Sequence, residues 1–118
     1  MNLRIVMVLA SLAAASPSLA QQSDYQRADA ELNRLYKTLS SRLTDNPDAK
    51  QKFVRAQRAW IAFRDAECGF AASGVEGGSI YPAVHEACLA KLTQERSYDF
   101  DTYLSCEEGD MSCPVPSN

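Results

Sequence analysis

The chain of 118 residues contains only one histidine, His85, and this scarcity excludes several kinds of chemistry. His85 has no obvious serine or free cysteine partner with which to form a nucleophilic pair. One histidine without a C-x-x-C pair also argues against a zinc site. No phosphate-binding loop or other metal motif is present. We therefore expect neither enzymatic activity nor a cofactor.

The sequence also lacks an apolar run long enough to cross a membrane. The run at residues 5–15 has about 11 residues, whereas a spanning helix needs about 20. It follows Arg4 and precedes small residues ending at Ala20, which is the pattern of a signal peptide rather than of a first domain helix, the alternative reading. We predict a signal peptide over residues 1–20 and a bacterial product that is periplasmic or secreted. Because Gln21 rather than cysteine follows, we expect no lipid anchor.

An excess of positive charge is missing as well. Removal of residues 1–20 leaves 98 residues, and Arg4 is the only charged residue removed, so 11 basic and 15 acidic residues remain. This balance argues against nucleic acid and favours a basic protein partner. The length predicts one small domain, residues 21–105, followed by a short acidic and Pro-containing tail, residues 106–118. The oligomeric state cannot be deduced from these features.

The four cysteines form an even set in a short exported chain, which predicts two disulfide bonds. Three pairings are open. We favour Cys68–Cys88, because it would join the end of one helix to the start of the next. The remaining pair, Cys106–Cys113, would then close a small loop in the tail.

Three segments with helical periodicity predict an all-α, up-down-up three-helix bundle held together by disulfides. The first helix begins at a capping box, Ser23 to Gln26, and runs for about 20 residues. The second runs from Pro47, preceded by Asn46 as the N-cap, to about Ala72, and the third from about Ser79 to Leu104. The predicted core stripe of the first helix comprises Tyr25, Ala28, Leu32, Leu35, Leu39 and Leu43. That of the second comprises Phe53, Ala56, Trp60, Phe63 and Phe70, and that of the third Val84, Cys88, Leu89, Leu92, Phe100 and Tyr103.

Residues 56–68 contain the only tryptophan and neither proline nor glycine, so they indicate a helix interior. Gln57, Trp60, Ile61, Arg64 and Cys68 fall on one face of that helix. The face is half polar, so it needs partners opposite. Arg64 either pairs with a carboxylate, for which Glu67 and Glu95 are the candidates, or keeps its head in water with its stem on Trp60.

Polar residues interrupt the apolar side of the third helix in the same way, and we predict a hydrogen-bonded network between the two helices. The residues assigned to it are Gln57, Trp60, Arg64, Asp65, Thr93 and Arg96. Between the helices lies a segment that we call the connector, residues 73–79. It contains three of the five glycines, which predicts a turn rather than a helix.

Several ordered motifs resemble the LprI family, small exported bacterial helical proteins named for a lysozyme inhibitor. The resemblance covers residues 25–104, but this chain lacks the lipid-accepting cysteine of the family's named member and has an additional cysteine pair at its C-terminus. The motifs are Ala56-Gln57-Arg58-Ala59-Trp60, Phe63-Arg64-Asp65-Ala66-Glu67-Cys68, Gly77-Gly78-Ser79-Ile80-Tyr81-Pro82, Cys88-Leu89, Leu92-Thr93 and Glu95-Arg96.

The resemblance implies a protein that binds and blocks a lysozyme. The alternative is a periplasmic interaction or envelope-stress module without inhibitory activity. Two segments could contact a partner: the connector with Glu76, Ser79 and Tyr81, or the acidic end. The acidic end comprises Asp99, Asp101, Glu107, Glu108 and Asp110. The alternative roles are a simple helix joint for the connector and a solvated tail for the acidic end.

Overall fold

The computed structural model describes residues 22–116, which form three α-helices and no strand. The helices are α1 (Asp24–Arg42), α2 (Pro47–Ala71) and α3 (Tyr81–Leu104), and a short 3-10 helix, Ser73–Val75, follows α2. The all-α prediction is confirmed for this part of the chain. The predicted signal peptide and its cleavage near Ala20 lie outside the described residues.

The first two helices begin where their sequences predict. The Ser23 side chain accepts a hydrogen bond from the Gln26 backbone N–H, and the Gln26 side chain accepts one from the Ser23 N–H, so the capping box is complete. The Asn46 side chain accepts a hydrogen bond from the Ala49 N–H at 3.1 Å, and Pro47 occupies the first turn of α2. These contacts satisfy amide groups that a helix start leaves unpaired.

The core lies mainly between α1 and α3. Its fully buried apolar residues are Leu32, Leu35, Leu39, Leu43, Phe100 and Val115. From α2, Phe53 reaches this cluster, and its ring centroid lies 5.0 Å from that of Tyr36 and 5.3 Å from that of Phe100. The predicted stripe of α1 is therefore confirmed from Ala28 to Leu43, with Tyr25 half-buried at its end.

Contacts at the helix ends indicate how the helices run. Arg42 Nη1, at the end of α1, donates a hydrogen bond to the carbonyl oxygen of Leu104, at the end of α3, over 3.1 Å. The disulfide bond between Cys68 and Cys88 joins the end of α2 to the first half of α3. Both contacts are compatible with the up-down-up order, which stays a prediction.

The predicted core stripe of α2 is wrong for three of its five residues. Ala56, Phe63 and Phe70 are exposed, and the exposed fractions of the two phenylalanines are 55% and 75%. The buried residues of α2 are instead Gln57, Arg64 and Cys68. At 100° per residue the buried face lies about 120° around the helix from the exposed one. The helix is rotated so that its polar residues meet their partners inside the bundle.

Two smaller expectations also need correction. The third helix begins at Tyr81 rather than near Ser79, because residues 78–81 form a turn first. The tail, for which the sequence predicts only a loop closed by Cys106–Cys113, is also held by the Val115 side chain, which belongs to the buried core. Phe100, on the α3 side of that core, is fully buried.

Both disulfide bonds lie within the described residues, where no free cysteine remains. The Cα atoms are 5.5 Å apart for Cys68–Cys88 and 5.9 Å apart for Cys106–Cys113. These distances are ordinary for disulfide bonds. The first bond encloses a much longer loop than the second, with sequence separations of 20 and 7 residues.

We expect the Cys68→Ala, Cys88→Ala double variant to lose about 3 kcal/mol of unfolding free energy, because the longer loop regains more entropy when it is opened. The Cys106→Ala, Cys113→Ala variant, as the matched control, should lose about 2 kcal/mol. Urea denaturation of both variants measures the difference. A Cys68/Cys88 variant with the wild-type midpoint would contradict the structural role given to this bond.

Candidate functional site

The polar residues of α2 and α3 meet in one cluster inside the bundle. Arg64 is buried, its Nε donates a hydrogen bond to Asp65 Oδ1 at 3.0 Å, and its Nη1 lies 3.5 Å from Thr93 Oγ1. The guanidinium carbon is 5.2 Å from the ring centroid of Trp60 and 5.6 Å from that of Tyr25. Aromatic faces and oxygen acceptors together replace the water that a buried guanidinium loses.

A second arginine lies on the same tryptophan. Arg96 Nε donates a hydrogen bond to Gln57 Oε1 at 3.1 Å, and Nη1 lies 3.5 Å from Asp99 Oδ2. The Arg96 guanidinium carbon is 4.8 Å from the ring centroid of Phe100 and 5.9 Å from that of Trp60. The six residues assigned to the network therefore come together, and we call them, with Tyr25 and Asp99, the arginine–tryptophan cluster.

The cluster differs from the sequence-based expectation in the partner of Arg64. The carboxylate that pairs with Arg64 is that of the neighbouring Asp65, not that of Glu67 or Glu95, and the Arg64 guanidinium is buried rather than in water. Glu95 lies 4.0 Å from Lys91 on its own helix. Because both guanidinium groups are occupied by partners from the same chain, the cluster is suited to hold α2 against α3.

The connector has a different character, because it is exposed and yet ordered. Residues 76–80 are all exposed. Residues 72–81 are joined by four backbone hydrogen bonds, each from an N–H to the carbonyl oxygen three residues earlier, with N–O distances between 3.0 and 3.2 Å. Gly77 adopts a φ of 79°, and a Cβ on Gly78 would lie 3.1 Å from the Val75 carbonyl oxygen. The turn therefore favours glycine at position 77 through its positive φ, and a side chain at position 78 would be tightly placed against the Val75 carbonyl.

The base of the connector is fixed on both sides. Cys68, three residues before the end of α2 at Ala71, is fully buried and bonded to Cys88, and the C-cap residue Ala72 is also fully buried. On the other side, the Tyr81 ring stacks on the imidazole of His85, with centroids 5.4 Å apart. The connector thus projects Glu76 and Ser79 from a rigid support, with half-buried Tyr81 behind them.

Sequence reasoning missed the apolar side chains beside the connector. Phe70 is 75% exposed and Ile80 is 56% exposed, although Phe70 was assigned to the core. A signal was available in the sequence: Phe70 shares its helix face with Ala56 and Phe63, not with Arg64. The connector end of the molecule therefore combines one carboxylate, hydroxyl groups and exposed apolar surface.

The acidic end lies at the other end of α3. The disulfide bond Cys106–Cys113 closes a loop whose Glu107, Glu108 and Asp110 are exposed. The Ser112 hydroxyl and backbone N–H both donate hydrogen bonds to Asp110 Oδ1, and they hold the pKa of that carboxyl below its usual range. Asp110 therefore stays ionised at a lower pH than an aspartate without these hydrogen bonds.

The two candidate contact segments are far apart. The connector precedes α3, whereas the acidic end comprises the last turns of α3 and the loop that follows it, and a helix of 24 residues is about 36 Å long. A single narrow cleft on a partner could not enclose both segments. Among residues 22–116, no helix is long and apolar enough to cross a membrane, and no group of three or more metal-ligating side chains could hold a metal ion.

Comparison with known proteins decides the family. The sequence pattern of the family described as "Lysozyme inhibitor LprI" matches residues 12–100. The chain belongs to the LprI lysozyme inhibitor family. The match covers most of the chain and includes the arginine–tryptophan cluster and the connector.

A similar protein from a named bacterium supports this comparison. The chain is 32% identical over 102 residues to an uncharacterized protein of Rhizobium meliloti (strain 1021), and the match covers 77% of this chain and 73% of the relative. No solved structure matches the chain. Membership of this family indicates a lysozyme-inhibitor-like function.

We expect Arg64→Ala to cost about 3 kcal/mol of unfolding free energy, because it leaves the Thr93 hydroxyl without its donor and opens space beside Trp60. Arg58→Ala is the matched control, since Arg58 is exposed on the same helix, and it should change stability by less than about 0.5 kcal/mol. Thermal or urea denaturation gives both values. Equal effects of the two substitutions would exclude a stabilising role for the cluster.

Proposed function

We propose that this protein is an exported lysozyme inhibitor that blocks its target through the connector. The protein acts by binding rather than by catalysis, and its bundle runs up-down-up so that the connector projects from one end. The observation that carries the proposal is the connector's combination of exposure, which is complete over residues 76–79, and fixed geometry. A segment that is already ordered loses little conformational entropy when it binds, so it can insert into a cleft at low cost.

The chemistry of the connector suits the cleft of a lysozyme. Glycoside hydrolases cleave their substrate between two carboxyl groups that flank the scissile bond. The Ser79 hydroxyl can donate a hydrogen bond to such a carboxylate, and Tyr81 offers a second hydroxyl behind it. Ile80 adds an exposed apolar contact at the same place.

Charge supports the same partner. Lysozymes that attack peptidoglycan are commonly basic, and this chain is acidic after loss of the predicted signal peptide. Opposite net charges accelerate encounter and favour the correct partner over acidic ones. Glu76 would then complement the basic surface around the cleft. The acidic end, about 36 Å away along α3, would contribute to attraction rather than to blocking.

Export is part of the proposal. Two disulfide bonds in a chain of this size are typical of an oxidising compartment, which in bacteria is outside the cytoplasm. We infer a periplasmic or secreted protein, released by cleavage near Ala20. A lysozyme that enters the envelope would be encountered in the same place.

A second candidate function rests on the acidic end. Its loop is closed by its own disulfide bond and presents three exposed carboxylates away from the connector. A periplasmic interaction or envelope-stress module that binds a basic envelope protein would use this surface and would inhibit no lysozyme.

A lysis assay tests the first proposal. Purified mature protein is added to c-type, g-type or i-type lysozyme acting on bacterial cells, and we expect dose-dependent inhibition of one class. A Glu76→Gln, Ser79→Ala variant should need about tenfold more protein for half inhibition, because it loses the charge and the donor of the connector.

Two controls sharpen this assay. Glu95→Gln removes an exposed carboxylate from the middle of α3 and should leave inhibition unchanged. The Glu107→Gln, Glu108→Gln variant tests the acidic end. If only this variant loses inhibition, the contact with lysozyme is made by the acidic end and not by the connector. Absence of inhibition in all three classes by the folded protein would reject the inhibitor function and favour the interaction module.

A further inference from the structure

The outward face of α2 carries an apolar stripe that nothing in the described part of the chain covers. We define the outer stripe as Ala56, Ala59, Phe63, Ala66 and Phe70, all of which are exposed. The exposed fractions of Phe63 and Phe70 are 55% and 75%. Two large aromatic side chains aligned on one exposed helix face are typical of an interaction surface.

The spacing of the outer stripe is that of a helix that packs against another helix. Its residues are separated by 3, 4, 3 and 4 positions, which is the a and d pattern of two heptads. The buried face of α2 shows why the stripe is free: Gln57, Arg64 and Cys68 are turned inward, about 140° from the centre of the stripe. The stripe therefore remains available to a second molecule.

We propose that the outer stripe is the interface of a homodimer in which α2 packs antiparallel to α2 of a second copy. The stripe is complementary to itself in this orientation. When Phe63 of one copy lies opposite Ala66 of the other, Phe70 lies opposite Ala59. The two-fold symmetry produces each of these contacts a second time, with the two copies exchanged. Each of the four phenylalanine rings then meets an alanine, which leaves room for the ring.

The charges of α2 favour the antiparallel orientation over the parallel one. The first half of the helix carries four exposed or half-buried basic residues and one acidic residue, Asp48, which is paired with Lys52, and the second half carries two exposed acidic residues. In the antiparallel register given above, the two helices overlap over residues 58–71, and Arg58 of one copy lies about one helical turn from Glu67 of the other, whereas a parallel pair in register would set Arg58 against Arg58 and Glu67 against Glu67. The basic residues are Lys50, Lys52, Arg55 and Arg58, and the acidic residues of the second half are Asp65 and Glu67.

Gly69, next to the outer stripe, supplies an independent observation. A Cβ at this position would meet no atom of the chain within 4 Å, so the fold of a single copy does not require a glycine there. Glycine in the interior of a helix weakens it, and the absence of a side chain lets another backbone approach closely at that position. Gly69 and Ala62 lie along the same edge of the stripe, where the second helix would approach.

The size of the surface predicts a reversible dimer. A buried phenylalanine contributes about 200 Å². With the observed exposures, Phe63 and Phe70 would bury about 110 and 150 Å², or about 500 Å² over both copies. The alanines and the edges of the helix raise the total towards the lower limit of about 1,000 Å² for specific interfaces. The dimer is read out by the oligomeric state and not by inhibition, so this inference does not depend on the proposed function.

Sedimentation velocity of the mature protein over a wide concentration range tests the dimer. We expect a concentration-dependent monomer–dimer equilibrium. Phe63→Glu should raise the dissociation constant at least about tenfold, because it places two like charges in the interface. Tyr98→Glu is the matched control, since Tyr98 is 74% exposed on α3, and it should leave the equilibrium unchanged. Circular dichroism confirms that each variant is folded.

Ala66→Phe tests the register. The substitution adds apolar surface at an exposed position, so general hydrophobic association would become stronger. In the proposed register the new ring would collide with Phe63 of the other copy and weaken the dimer by about tenfold. A wild-type protein that stays monomeric at all concentrations overturns the proposal. So does equal weakening by Tyr98→Glu, or tighter association of Ala66→Phe.

Discussion

Two guanidinium groups inside a domain of about 100 residues impose the constraint on which this structure depends. A buried charge is tolerated only where partners replace its water. Arg64 and Arg96 find those partners in one place, because both guanidinium groups lie against the ring of Trp60. Arg64 of α2 also contacts the Thr93 hydroxyl of α3, and Arg96 of α3 donates a hydrogen bond to the Gln57 side chain of α2. The rotation of α2 follows from this requirement.

That rotation determines what the molecule presents to a partner. Since the polar face of α2 is turned inward, its alanine and phenylalanine face is turned outward, and the hydrophobic core is built largely by α1, α3 and Val115 of the tail. At the end of α2, the buried Cys68 fixes the connector to α3. A thin core therefore supports two exposed surfaces on and beside one helix: the connector, which we assign to the target lysozyme, and the outer stripe, which we assign to a second copy.

The helices were predictable because their signals are local: the capping box at Ser23, the Asn46-Pro47 start and the leucine spacing of α1 all act within a few residues. The rotation of α2 was not. Its sequence offers an apolar face with Phe63 and Phe70 and a mixed face with Gln57 and Arg64, and periodicity alone favours burying the first. The choice depends on Thr93, about 30 positions away, and on Tyr25, about 40 positions away. The buried Val115 in a Pro-containing tail carries no local signal either.

Hydroxyl-radical footprinting read by mass spectrometry tests the orientation of α2 most directly. The four phenylalanines have the same intrinsic reactivity, so differences between them report exposure. In dilute protein we expect Phe63 and Phe70 to be oxidised rapidly, Phe53 to be partly protected and Phe100 to be protected almost completely. Protection of Phe63 and Phe70 to the level of Phe100 in dilute protein would mean that the apolar face of α2 is turned inward, and it would contradict this account.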